Sequence, residues 1–143
     1  EARKLIECQT ARLAAQRASK EKIEELTEIM REMQEKVADL DTFDGLDVRF
    51  HIAIAKASEN PVLVILLESI RGLISGIVEE MARIPEQPIR ANRYHEKILG
   101  AIQQRDADRA AAGMVEHLED VEKLAQTCLF SDNDTECRKG IHV

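Results

Sequence analysis

Apolar residues recur every three or four positions along most of this chain, which is the period of an amphipathic α-helix. The pattern predicts helices over residues 1–17, 20–39, 61–82, 89–104 and 107–129, with one more between the polar stretches 41–44 and 58–61. No segment gives a convincing strand pattern, and the chain has no internal repeat. We therefore predict an all-α fold, an antiparallel bundle of about six helices.

Residues with capping side chains mark where most of these helices begin. N-caps are predicted at Ser19, within residues 41–44, at Asn60 and at Asp106. Pro61 suits the first turn of the fourth helix, where a backbone N–H has no intrahelical acceptor. Pro85 and Pro88 bracket the short loop that we expect before the fifth helix.

The fourth predicted helix is apolar on more than one face, which indicates a central position or an interface between copies of the chain. The second helix carries Glu and Lys along one face, as solvated helix surfaces do. The residues that we place near the inner face of the first helix are Leu5, Cys8, Leu13 and Ala15.

The composition agrees with one helical domain. Of the 143 residues, 44% are hydrophobic, 33% are charged and 3% are aromatic, which excludes a disordered chain and disfavours a β-sandwich or barrel. We assign residues 1–130 to that domain and residues 131–143 to a loose polar tail. The formal net charge of −7 offers no basic surface to phosphate backbones, so these residues are not expected to bind nucleic acid.

Cysteine usage and hydropathy predict a cytoplasmic protein that does not enter a membrane. Cys8, Cys128 and Cys137 are odd in number and lack CxxC spacing, so we interpret them as reduced thiols. No apolar run is long enough to span a bilayer, and no signal peptide precedes the first helix. The chain opens at Glu1 in mid-helix, with neither an initiator Met nor a cap, and we expect that further residues precede it in the intact protein.

Asp47 and His51 carry the most specific chemistry, because they lie one turn apart on the third predicted helix. Side chains at i and i+4 share a face, with β-carbons about 5–6 Å apart, so one cation can bind both. His95 and His117 lie on the apolar sides of the fifth and sixth helices. Since a buried Asp is costly unless it is paired or binds a cation, we hypothesise that these four residues form a buried divalent-metal site at the floor of a small-molecule pocket.

Three imidazoles and one carboxylate suit Zn²⁺ first, and also Ni²⁺, Co²⁺ or Mn²⁺, and they argue against Ca²⁺. The residues by themselves leave two alternatives open. Each histidine could be a packed, hydrogen-bonded core residue, and Asp47 could pair with Arg3 or Arg71.

Arg3 and Glu7 form another pair at i, i+4, on the first helix. The spacing favours a surface ion pair that contributes roughly a few tenths of a kcal/mol. The functional alternative is a guanidinium that faces the pocket, is positioned by Glu7 and binds a carboxylate. Asn92 lies three residues before His95 on the same face, where it could hydrogen-bond a ligand hydroxyl.

Sequence motifs of several enzyme classes are absent, namely GxGxxG, a phosphate-binding loop, HExxH, GxSxG and the Glu-x-x-His pairs of di-iron bundles. No carboxylate is evidently placed as a general base beside the proposed metal, so we predict that the protein is not an enzyme. Two rival functions remain. One is a metal-dependent hydrolase or lyase in which the same site activates water, and the other is a structural interaction domain without metal.

Several stretches match one known pattern in chain order. They are residues 3–7, 11–15, 47–51 continuing to 60–61, 95–102 with Asp106 and Ala110 after it, and 114–118. On these stretches, over roughly residues 1–127, the chain resembles the ligand-sensing C-terminal domain of the FadR subfamily of GntR transcription regulators, called the FCD domain. The spacing of the histidines resembles that of the metal-binding branch of the family.

The resemblance implies a helical bundle around a cavity, with a divalent metal held by Asp47, His51, His95 and His117. It implies that the effector is a small organic acid bound at or beside the metal, and that Arg3 helps to hold it. The family binds DNA through an N-terminal winged helix, which lies outside this chain. We further expect a homodimer, with the fourth helix as interface candidate, and an effector that shifts how the bundle sits relative to the DNA-binding module.

Overall fold

The computed structural model describes residues 1–82, 84 and 86–129. Within this part of the chain there are six helices and no strand: α1 (Ala2–Arg17), α2 (Lys20–Glu35), α3 (Leu40–Ala57), α4 (Pro61–Ala82), α5 (Gln87–Gln103) and α6 (Ala107–Leu129). The predicted all-α fold of about six helices is confirmed. The predicted tail at residues 131–143 and Pro85 lie outside the described residues.

The predicted caps explain where α2, α4 and α6 begin. Ser19 accepts a hydrogen bond from the backbone N–H of Lys22, and Asn60 and Asp106 accept equivalent bonds at the starts of α4 and α6. These side chains satisfy backbone donors that have no acceptor within the helix.

Three predicted helix ends were wrong. The N-cap of α3 is Asp39, which accepts a hydrogen bond from the backbone N–H of Thr42 at 3.3 Å. The helix therefore begins at Leu40, ahead of the predicted cap region 41–44. Because Asp39 takes this role, α2 cannot continue to it and ends at Glu35. Pro88 was expected in a loop, but it lies in the first turn of α5, where the missing N–H of proline leaves no helix bond unmade.

The face that α1 turns toward the core is built from small side chains. Ala11, Ala14 and Ala15 are fully buried, whereas Leu5 is 76% exposed and Cys8 is partly buried. The prediction was therefore right for Ala15 and wrong for Leu5. Small side chains let helix axes approach closely, and α1 accordingly packs against α3, α4, α5 and α6.

A single apolar core joins α1, α2, α3, α5 and α6. Its largest fully buried apolar side chains are Leu26, Ile29, Met33, Phe50, Ile54, Ile98, Ile102 and Met114. Phe50 connects this core to the predicted ligands. It lies on α3 between Asp47 and His51, and its ring packs against that of His95 on α5, with the ring centroids 4.6 Å apart.

The α4 helix buries only part of its apolar surface. Leu67 and Arg71 are buried, but Val62, Ile65, Leu66 and Leu73 are exposed. The side chains of Ile74, Ile77 and Val78, which were part of the predicted apolar surface, lie outside the described ones. Among the described residues, no helix is both long enough and apolar enough to cross a bilayer.

Candidate metal centre

The four predicted ligands come together. Asp47 and His51 from α3, His95 from α5 and His117 from α6 each offer one ligand atom, and these atoms all lie within 4.8 Å of one another. The Nε2 atoms of His95 and His117 are 3.3 Å apart. Oδ1 of Asp47 lies 3.5 Å from Nε2 of His95 and 3.8 Å from Nε2 of His51.

These separations fit a small divalent cation. Ligand bonds of about 2.0–2.1 Å in tetrahedral geometry place neighbouring donors about 3.4 Å apart. The separations of 3.3, 3.5 and 3.8 Å are thus close to the spacing that Zn²⁺ requires, and the whole set of donors lies within 4.8 Å. Three nitrogens and one carboxylate oxygen are also a donor set that Ni²⁺, Co²⁺ and Mn²⁺ accept.

The histidines are buried and short of hydrogen-bond partners. Nε2 of His51 and the Nδ1 atoms of His95 and His117 have no hydrogen-bond partner within the described part of the chain. A packed core histidine normally satisfies both ring nitrogens. Of these three nitrogens, only Nε2 of His51 faces the other candidate ligands, since His95 and His117 turn their Nε2 atoms toward each other. A buried Nε2 without a hydrogen-bond partner therefore argues against an ordinary core role for His51.

Burial keeps the histidines of α5 and α6 neutral. It lowers the pKa of His95 to about 3, although the nearby Asp47 carboxylate works in the opposite direction. Burial also lowers the pKa of His117 well below its ordinary value, and the neighbouring rings of His95 and His51 add to the effect. Neutral imidazoles carry the lone pair that a metal ion needs.

Asp47 uses its two oxygens differently. Oδ1 faces the histidines, and Oδ2 accepts from Nη2 of Arg71 at 3.1 Å. Burial would raise the pKa of Asp47, but the rings of His51 and His95 and the guanidinium of Arg71 outweigh it and hold the pKa below its ordinary value. The alternative that Asp47 pairs with an arginine is thus correct for Arg71. That pair uses Oδ2, so Oδ1 still faces the histidines.

The prediction that Arg3 and Glu7 form a surface ion pair was wrong. Glu7 is fully buried, because the face of α1 on which it lies packs against α3 and α4. Its Oε1 lies 2.6 Å from Nε of Arg3 and 3.9 Å from Nη1 of Arg71, and its Oε2 contacts Nδ1 of His51. Glu7 therefore links α1 to a candidate ligand on α3 and to a buried arginine on α4.

The contacts of Glu7 keep it ionised. Burial alone would raise the pKa of Glu7, but His51, Arg3 and Arg71 together lower it below its ordinary value. An imidazole whose Nδ1 faces a carboxylate presents Nε2 to the metal, and such a partner is a common support of metal-bound histidine. Glu7 stands in that position toward His51.

Glu7 and Arg71 were not predicted from the sequence to be parts of one network around the site. For Arg71, the signal was present, because it is a charged residue within the most apolar helix of the chain. For Glu7 there was only its spacing from Arg3, which many surface pairs share. Their convergence depends on how α1 and α4 pack on α3, which the local sequence does not specify.

Asn92 is nearly buried on α5. Its Nδ2 donates to the backbone carbonyl of Met33 at 3.3 Å, which ties α5 to α2. Its Oδ1 has no hydrogen-bond partner among the described residues. A role for Asn92 toward a ligand stays a prediction.

The FCD domain model matches residues 1–120 of this chain. The chain is 31% identical over 129 residues to the HTH-type transcriptional regulator LutR of Bacillus subtilis, which covers 87% of this chain and 59% of LutR. It is 35% identical over 128 residues to the putative L-lactate dehydrogenase operon regulatory protein of Escherichia coli, covering 82% of this chain and 46% of that protein. It is 30% identical over 115 residues to the galactonate operon transcriptional repressor of Escherichia coli, covering 77% and 48%.

The chain thus spans about half the length of the curated relatives that it matches. Among solved structures, it is similar to the Streptococcus agalactiae GntR, with a TM-score of 0.72 and 24% identity, over 85% of this chain and 55% of that chain. At 24% identity, this structural similarity shows the fold alone.

Proposed function

Since the chain belongs to the FCD domain family found in GntR-type transcription regulators, as its sequence stretches indicated, we propose that it is the effector-binding domain of a bacterial regulator of this type. Its relatives are transcription regulators, and the matches cover 59% and 46% of their length. DNA would be bound by an N-terminal module outside this chain, which agrees with the net charge of −7 that the chain itself carries. The regulator would act in the cytoplasm.

The domain would hold one divalent metal through Asp47, His51, His95 and His117. The observation that carries this proposal is the convergence of their four ligand atoms within 4.8 Å in a buried site. Zn²⁺ is the first candidate, followed by Ni²⁺, Co²⁺ and Mn²⁺. When bound with more than four ligands, the metal would also act as a Lewis acid toward an oxygen atom of the effector.

The effector would be a small organic acid. Two relatives are named for operons of an L-lactate dehydrogenase and of galactonate, and lactate and galactonate are both hydroxy carboxylates. Arg3 supports the same proposal, because its guanidinium is held beside the candidate metal ligands by Glu7 and is suited to carboxylates. A hydroxyl of the acid would be recognised by Asn92.

The signal would be a shift between two arrangements of the bundle. The candidate ligands lie on α3, α5 and α6, and Arg3 lies on α1, so a bound metal and acid would connect four helices. An effector can move such an equilibrium only by its differential affinity for the two arrangements. We place a homodimer interface on the exposed apolar side chains of α4, so that two DNA-binding modules could read a two-fold operator.

Catalysis by a metal-dependent hydrolase or lyase is not favoured. Such an enzyme needs a general base near the metal-bound water. Glu7 is the buried carboxylate beside the candidate ligands, and it is already committed to Arg3 and His51 with a lowered pKa. An ionised carboxylate with these partners positions its neighbours and is poorly suited to accept a proton.

Elemental analysis of the purified protein tests the site. We expect about one Zn, Ni, Co or Mn per chain in the wild type, and a sharp loss in both Asp47→Ala and His117→Ala. Asp108→Ala is the matched control, because Asp108 is an exposed aspartate paired with Arg12 and lies more than two helical turns from His117 on α6. A wild type that holds no metal and takes none up would refute the metal site.

Thermal denaturation then tests the effector class. The metal-loaded wild type is expected to be stabilised by at least one acid of a panel of acetate, L-lactate, galactonate and succinate, and the metal-free protein is not. Arg3→Gln should keep the metal and lose most of the stabilisation. If no acid of the panel stabilises the loaded protein, carboxylate sensing is contradicted even where the metal is present.

A further inference from the structure

Arg71 is the most deeply buried charged group of the network apart from Glu7, and it comes from α4, which contributes none of the candidate metal ligands. Only 6% of this residue is exposed. Its Nη2 donates to Oδ2 of Asp47, whose other oxygen faces the histidines. The guanidinium therefore lies directly behind a candidate metal ligand.

One donor of this guanidinium is left over. Nη1 is buried and has no hydrogen-bond partner among the residues that the structure describes, and the nearest carboxylate oxygen recorded for it, Oε1 of Glu7, is 3.9 Å away. That oxygen is already engaged at 2.6 Å by Nε of Arg3. A buried ionised donor without an acceptor is costly, so the position indicates an acceptor that the described part of the chain does not supply.

The unused donor also has the right neighbours. Arg3 and Arg71 both approach Oε1 of Glu7, so two guanidinium groups from different helices border the same small region beside the candidate ligands. A guanidinium binds a carboxylate through parallel N–H donors, and a buried one does so more strongly than an exposed one. Metal ions, by contrast, are repelled by this group.

We propose that Arg71 is a second carboxylate-binding arginine, whose Nη1 donates to the organic acid while its Nη2 holds Asp47. This inference rests on the proposed function, because it concerns the acid bound at that site. It adds α4 to the helices that the acid connects, and α4 also carries the exposed apolar side chains. The carboxylate of the acid is then held by Arg3 of α1 and Arg71 of α4, in addition to the metal.

The test measures metal content and acid affinity separately in Arg71→Gln and Arg71→Lys. Arg71→Gln is expected to keep about one metal per chain, because the four candidate ligands are unchanged. Its affinity for the acid of the panel that binds the wild type, measured by titration calorimetry, should fall at least about tenfold, because a charge-assisted hydrogen bond is lost. Arg71→Lys retains the charge without the planar fork and should lie in between.

Arg49→Gln is the matched control, because Arg49 is also a helical arginine paired with a glutamate, and it is exposed. It should bind metal and acid as the wild type does. Metal-loaded Arg71→Gln that binds the acid within about twofold of the wild type would overturn the inference. Loss of metal from both Arg71 variants would also overturn it, since Arg71 would then act through Asp47. A wild type that binds metal but no acid would instead refute the proposed function.

Discussion

Two pairs of the same residues at the same spacing lie in opposite environments in this molecule. Arg3 and Glu7 on α1 are four positions apart, as are Arg31 and Glu35 on α2. The side chain of Glu7 is 1% exposed and that of Glu35 is 57% exposed. Glu7 contacts two further charged or titratable groups, His51 and Arg71, whereas Arg31 pairs with Glu28 and Glu35 at the surface.

The difference shows that packing on other helices, and not the pair itself, decides whether such a pair is buried or solvated. At the surface, both charges are well solvated whether or not they pair, so the ion pair contributes little to the free energy of unfolding. In the interior, each charge has lost its solvation and depends on its partners, so the removal of one member leaves the others unpaired. A buried pair next to candidate metal ligands therefore costs desolvation free energy, and it can hold those ligands in position.

Substitution of the two glutamates should give the largest contrast. Glu7→Ala leaves Arg3, Arg71 and Nδ1 of His51 without their shared carboxylate, and we expect the free energy of unfolding to fall by about 3–5 kcal/mol. Glu35→Ala should cost less than about 0.5 kcal/mol. Urea denaturation of both variants, without metal and without acid, measures the contrast.

Glu7→Gln keeps the size of the side chain and removes its charge, so it should fall between the wild type and Glu7→Ala. It also separates lost packing from lost charge, because a cavity contributes only to the alanine variant. Equal unfolding midpoints for Glu7→Ala and Glu35→Ala would mean that the buried network contributes no more than the surface pair.

The pH dependence of stability should come next in size. The pKa of His95 is about 3 in the folded chain, against an ordinary value near 6.5. Between these values the unfolded chain binds a proton that the folded chain does not, so stability present above pH 6.5 is lost as the pH falls. From pH 7.5 to 5.5 each such imidazole should remove about 1.4 kcal/mol from the free energy of unfolding.

This measurement is made on chelator-treated protein, where no metal competes with protons. The range stays above the ordinary pKa values of carboxyl groups, so Asp47 and Glu7 do not contribute. His95→Gln should show a shallower dependence than the wild type, since one buried imidazole is gone. A wild-type stability that does not change over this range would contradict neutral, buried histidines.

Much of the fold could be predicted from the sequence, because most helices carry their own apolar period, and α2, α4 and α6 also begin at a capping side chain. Ser19, Asn60 and Asp106 act within one turn of themselves, and such local rules do not depend on the rest of the fold. The four candidate ligands were also found, since three lie on the inner faces of long helices and Asp47 lies one turn from His51.

Apart from the end of α2 and the starts of α3 and α5, the errors concern packing between helices. Leu5 was placed inside because it is apolar, but α1 turns its alanines to the core and leaves Leu5 outside. Glu7 was placed at the surface because it is charged, although its partners on α3 and α4 compensate its burial. Which face of a weakly amphipathic helix is buried depends on its neighbours, and the period of α1 alone does not specify it.

The smallest expected effect is the coupling energy of the surface pair, Arg31 and Glu35. Its dependence on salt should distinguish it from the coupling of the buried pair. A double-mutant cycle on Arg31 and Glu35 should give a coupling of about 0.3–0.5 kcal/mol at low salt, and 1 M NaCl should remove most of it, because the Debye length falls to about 3 Å. The same cycle on Arg3 and Glu7 should give a larger coupling that salt hardly changes, since ions do not reach a buried pair. Urea denaturation of the four variants of each cycle, at low and high salt, provides both couplings. If salt weakened the two couplings alike, Glu7 would be accessible to solvent, and the buried network proposed to hold the acid would lose its basis.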